Sequence, residues 1–193
     1  MKLLLVILFL FSIYVLPAQE IGDFDYEFTS LAKAEENPDL VYHLNLTRKK
    51  LDEIPEVIFT FYNLRSLNLK KNKISQIPPR IGQLIRLEKL NLANNKIYSI
   101  PPQVGKLKEL THLYLARNKI EKLPAQLGDL NNLRELDVWL NNIKEIDRRI
   151  FELKQLTLLN LSGMLLEKEL KEALIKNLPE TKILLTDGCN CAY

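Results

Sequence analysis

From Val41 to Leu161 the chain keeps a 23-residue beat without a slip. Leu64, Leu87, Leu110, Leu133 and Leu156 stand one beat apart, and each opens a block with apolar residues at positions 1, 4 and 6. A fixed period of about 20–50 residues marks stacked supersecondary units, each too small to bury its own apolar side alone. With 193 residues, 47% hydrophobic and 26% charged, the chain has the composition of one globular domain. Its formal net charge of +3 names no partner; only local clusters can.

Within each block the first six positions alternate apolar and polar residues, which suits a short strand with one buried face. The strands are expected at Val41–Leu46, Leu64–Leu69, Leu87–Leu92, Leu110–Leu115, Leu133–Val138 and Leu156–Leu161. Position 9 is Asn72, Asn95, Asn118 and Asn141 in the four central blocks. A carboxamide both donates and accepts, so this ladder is expected to satisfy backbone groups where the chain turns inward after each strand. Pro78, Pro101 and Pro124 disfavour regular helix on the return path. Gly82, Gly105 and Gly128 suit a tight turn or close packing of adjacent coils.

The pattern L-x-x-L-x-L-x-x-N-x-I-x-x-I-P-x-x-I-G-x-L resembles the leucine-rich repeat in its 23-residue form, over roughly Val41 to Gly163. The resemblance implies an α/β fold: a solenoid with a curved parallel sheet on its concave face and short helical caps. It also implies a protein-binding scaffold. The cysteine-rich caps of many animal extracellular relatives are absent, so bacterial secreted members are the better analogy. Lys49 and Met164 replace the asparagine in the end blocks. Asp147 and Phe151 replace the proline and glycine of the fifth, whose outer segment is expected to be more helical.

The ends depart from the beat. Residues 1–18, with Lys2, an apolar run from Leu3 to Leu16 and a small Ala18, read as a cleaved secretory signal. The run spans about 21 Å as a helix, short of the ~30 Å hydrocarbon core; an uncleaved anchor is the alternative. Residues 19–40 form an N-terminal cap, with Thr29 or Ser30 capping a short helix through Glu36. Residues 41–165 are the repeats. Residues 166–186 form a C-terminal cap: leucines at three- and four-residue steps through EKELKEALIKNL, then a last strand at Lys182–Thr186. The tail, 187–193, carries Cys189 and Cys191. Two thiols do not close a metal site, and a bond between them is a strained, labile ring; a structural thiol pair is the simpler reading.

No catalytic constellation is visible. His43 and His112 sit at position 3 of strands three repeats apart, about 14 Å at the usual strand spacing. No phosphate loop, nucleophile elbow or H-E-x-x-H occurs, and no metal or cofactor is expected. The concave face, at positions 2, 3, 5, 7 and 8, is basic in its first half, with Arg48, Arg65, Lys70, Lys71 and Lys89. Its second half holds Tyr114, Trp139 and Leu140 with His112, Arg117, Arg134, Asp137 and Leu158. An exposed tryptophan flanked by arginine has the composition of a protein-binding hot spot. Alternatively, Trp139 leans over its neighbours and shields the sheet near the cap.

A second candidate is a lysine row at position 10: Lys50, Lys73, Lys96 and Lys119. It either holds a polyanion such as an acidic glycan or is a solvated, solubilising edge. A secretory leader argues against nucleic acid. The expected function is thus a secreted, periplasmic or cell-surface protein-binding module, with glycan binding as one alternative. An intracellular signalling scaffold is another if the leader is not cleaved.

Overall fold

The computed structural model describes residues 26–185; the leader and the Cys-x-Cys tail lie outside the described residues. The first strand, β1 (Glu27–Phe28), precedes helix α1 (Leu31–Glu36). One strand per coil follows: β2 (His43–Asn45), β3 (Ser66–Asn68), β4 (Lys89–Asn91) and β5 (His112–Tyr114). Then come β6 (Lys122–Leu123), β7 (Glu135–Asp137), β8 (Glu145–Ile146) and β9 (Leu158–Asn160). Helix α2 (Lys168–Asn177) and β10 (Lys182–Leu184) are the last elements of the described residues.

Eight of these strands form one parallel sheet in the order β1-β2-β3-β4-β5-β7-β9-β10, while β6 and β8 pair separately. The register is the sequence beat made physical. Phe28, Leu44, Leu67, Leu90, Leu113, Leu136, Leu159 and Ile183 stand opposite one another across the sheet. With the position 1 and position 6 side chains they line one continuous core. Sequence alone did not reveal β1, which adds Phe28 to the end of that column.

The repeat strands are three residues long, at positions 3 to 5, rather than six. Position 6 still bonds across coils, as Leu46 N–H does to Asn68 O at 2.8 Å. At position 8 the chain turns out of the sheet through left-handed backbone: Arg48, Lys71, Asn94, Arg117 and Leu140 have φ between 50° and 60°, and Gly163 has 76°. This turn shortens every strand alike.

Behind it stands the asparagine ladder. Asn118 Oδ1 accepts from Ile97 N–H at 3.0 Å, and its Nδ2 donates to Leu92 O at 3.0 Å and Leu115 O at 2.9 Å. Asn72, Asn95 and Asn141 make the same three bonds to their own and preceding coils. Met164, which takes this position in the last block, joins the core instead.

The return paths are 3₁₀ turns: Glu56–Thr60, Pro79–Gln83, Pro102–Lys106, Ala125–Asp129 and Arg148–Glu152. The fifth is the same length and type as the others, contrary to the more helical segment expected there. Asp147 adopts φ −68° and ψ 141°, close to the −73° and 153° of Pro124, and its carboxylate accepts from Arg149 N–H at 2.9 Å. An N-cap bond thus replaces a fixed ring. The glycines serve close packing between coils: a Cβ on Gly105 would lie 2.6 Å from Gln126 O. Phe151 is tolerated at the equivalent position because α2, not another turn, comes next; it shares a groove with Leu170 and Ala173.

Ala34 of α1 and Leu174 of α2 are fully buried. Ser30 stands at the N-cap of α1 without a side-chain bond. Among the described residues no helix is long and apolar enough to cross a membrane.

Asn118→Ala leaves the buried Ile97 N–H without its acceptor and takes from Leu92 O and Leu115 O one of the two amide donors that each has, which should cost about 1–3 kcal/mol. At ~2–4 °C per kcal/mol for a domain of this size, thermal unfolding should show a clear downward shift. Asn142→Ala, at the next and exposed position, should stay within about 0.5 kcal/mol of wild type.

Candidate functional site

A second ladder underlies the sheet face. Asn45, Asn68, Asn91, Asp137 and Asn160, all at position 5, each accept a hydrogen bond at 3.1 Å from the N–H two residues ahead. These Asx-type bonds fix the exit from each strand. The sequence reading placed position 5 on the contact face and missed this structural role, although four asparagines at one register were its signature. Two coils deviate, and they are neighbours: β5 carries Tyr114, which has no such oxygen to offer its own turn, and β7 carries Asp137.

Tyr114 is partly buried and donates its hydroxyl to Glu135 Oε2 at 2.7 Å. Burial first, then that bond and the charges of Glu135 and Asp137, hold its phenol well above the usual tyrosine range. It therefore stays a neutral donor at every physiological pH. His112, two residues away on the same strand, lies with its Nδ1 2.7 Å from Thr111 Oγ1, its Nε2 3.9 Å from Glu135 Oε1, and its ring centroid 6.0 Å from that of Tyr114. Glu135 thus organises both rings. It was not among the residues singled out from sequence, because its role depends on a partner 21 residues back in the chain.

Trp139 follows on the same coil. Its N–H bonds to Asp137, its carbonyl accepts from Arg117 N–H at 2.7 Å, and the Arg117 guanidinium carbon sits 4.6 Å from the centre of its ring. The indole is partly buried, and it carries a cation against its face. Asp137 is pushed above the usual carboxylate range, chiefly by burial and further by Glu135. In four other coils position 5 is asparagine, which makes the same bond without burying a charge.

The remaining residues sort by place. Leu140 packs against Gly163, where a Cβ would meet Leu140 Cδ2 at 2.8 Å, so much of its side chain serves the next coil. Arg134 lines a separate cleft at the strand-entry edge with Glu88, Glu109 and Thr111, apart from the indole. Leu158 is partly buried on β9. In the basic half, Arg65 lies 3.8 Å from Glu88 and 5.7 Å from the ring of Tyr42. Lys50, Lys73, Lys96 and Lys119 are exposed along the strand-exit edge. Among the described residues no group of three or more His, Cys, Asp or Glu side chains is placed to hold a metal ion.

The shift of Asp137 has a sign that can be measured. Its folded carboxyl is raised, so its contribution is most favourable below the ordinary carboxylate range and is lost as pH rises through the folded value. Asp137→Asn keeps the acceptor and removes the charge. The variant should melt higher than wild type at pH 7, and the gap should close as pH falls below the carboxylate range.

A family model described as a leucine-rich repeat region matches residues 41–185. Among solved structures, the chain is similar to a leucine-rich repeat protein of Leptospira interrogans, with a TM-score of 0.69 and 28% identity over 85% of this chain and 49% of that one. The chain thus spans about half the length of that relative. It is also similar to the plant peptide hormone receptor RGFR1, solved in complex with RGF2, with a TM-score of 0.59 and 30% identity over 74% of this chain and 24% of that one. A chain of the Arabidopsis thaliana BIR3–SERK2 complex aligns at a TM-score of 0.54 and 30% identity, covering 65% of this chain and 70% of its own length. Among curated proteins no sequence match was found. With the family model covering most of its length and a parallel, asparagine-laddered sheet to match, the chain belongs to the leucine-rich repeat family.

Proposed function

We propose that the chain is a non-catalytic binding module that takes a protein or peptide partner on the face of the fourth and fifth coils. The observation that carries this reading is the Trp139–Arg117 pair beside Asp137. Other coils place Thr47, Lys70, Ala93, Ala116 and Ser162 where Trp139 stands. A partly open aromatic with a cation on one face, next to a carboxylate kept charged at a cost in stability, is the composition of an interface anchor. The partner would meet Trp139, Tyr114 and Asp137, with His112 and Arg117 positioned by Glu135 and the indole. Arg134, in its own cleft, and Leu140, half engaged with Gly163, would form the rim. The similarity to RGFR1 supports the reading, since that receptor was solved with RGF2 bound.

The leader supports a secreted, periplasmic or cell-surface location, where residues 19–40 and 166–186 would act as caps on repeats 41–165. A mature protein that starts at Gln19 by intact mass fits this location. One that retains Met1 favours the intracellular scaffold instead.

Trp139→Ala tests the site. It should abolish capture of the partner from the native surface or periplasm. The lost stacking should cost about 1 kcal/mol, hence a melting shift of ~2–4 °C. Undiminished capture by a folded variant would place the site elsewhere.

A further inference from the structure

The strand-exit edge runs on from the concave positions 7 and 8 to positions 9 and 10, and its charge is one-sided. Positions 7 to 10 of the first four coils hold nine lysines and arginines and no acid, in a chain whose net charge is only +3. The two coils that follow carry neither sign at these positions. The charge is therefore a band with a defined end.

Backbone bonds hold this band in register. Lys73 N–H bonds to Leu51 O at 2.7 Å, and Lys96 and Lys119 repeat the bond to Ile74 O and Ile97 O at 2.8 Å. Consecutive lysines are thus one coil apart, about 4.8 Å, and the four span about 14 Å. Arg48 and Lys71 flank them, exposed and in the left-handed conformation. Among the described residues none of Lys50, Lys73, Lys96 and Lys119 forms an ion pair, although Arg80, Lys122 and Arg149 do. Like charges at this spacing repel, so the row raises the energy of the bare protein and lowers that of one carrying a counter-charge.

We infer that this edge binds a linear anionic polysaccharide, sulfated or carboxylated, lying along Lys50, Lys73, Lys96 and Lys119. A repeating polymer matches a repeating row, whereas the acidic patch of a folded protein has no such period. Beside the two central lysines stand Ser75, Gln76 and the half-exposed Tyr98, whose hydroxyl accepts from Gln76 Nε2. Hydroxyl and amide groups around one aromatic ring suit a sugar. A single-stranded nucleic acid would want an aromatic for successive bases, and the row offers Tyr98 alone. This site does not depend on the sheet-face reading.

The test is retention of the full chain on immobilised heparin at physiological ionic strength, where screening leaves close multivalent contacts intact. Wild type should be retained and should elute steeply with salt. K73E/K96E/K119E should bind about tenfold or more weaker, given several exposed pairs reversed at once. K73Q/K96Q/K119Q should fall between. K33E/K154E/K176E, with the same net charge but away from the edge, should elute near wild type. Equal losses in the edge and control variants would reduce the effect to bulk charge and overturn the site. So would failure of wild type to bind, or equal affinity for a single-stranded oligonucleotide of matched charge.

Discussion

The fold depends on the position 9 carboxamide. Leu69, Leu92 and Leu115 each present one carbonyl to two asparagines, one in their own coil and one in the next. Each asparagine returns its oxygen to the preceding coil. Coils are therefore coupled to nearest neighbours by polar bonds as well as by leucines, which is the physical content of a one-dimensional repeat protein. The leucine columns alone would tolerate sliding of one coil on another; directional amide bonds do not. Where the ladder stops, at Lys49 and Met164, other devices take over: β1 and α1 at one end, α2 and β10 at the other.

Against that regularity, the face of β5 and β7 departs from what the ladder favours. Tyr114 gives up the side-chain oxygen that position 5 supplies in the other coils, and Asp137 supplies it with a half-buried charge. Leu140 occupies left-handed backbone, a conformation that costs a branched side chain more than it costs glycine or asparagine. The paired positions Tyr114 and Asp137 thus carry residues that the position 5 ladder does not call for.

How much of this was legible in the sequence follows from the kind of contact. Anything repeated at 23 residues was visible, because equivalent positions pair: the core columns, the amide ladder and the lysine row. The position 5 ladder was equally regular but was hidden by assumption, since a polar residue on an exposed face reads as surface. Contacts between non-equivalent positions were not legible. Glu135 meets Tyr114, and Arg117 covers Trp139, through side-chain directions that no period encodes. The fifth return path shows the converse error: Asp147 looked like a break in the pattern, yet its carboxylate reproduces the proline geometry by a hydrogen bond.

The left-handed residue at position 8 has a further consequence. It lies between a carbonyl at position 6 and a carboxamide at position 9 that must meet within the same coil. Adding or removing one residue there would carry the amide out of the core and break its bonds to two coils at once. The basic edge is thus locked in length. Its ligand preference can drift only by exchange of side chains on a fixed grid, and each exchange moves the charge in whole steps of one coil.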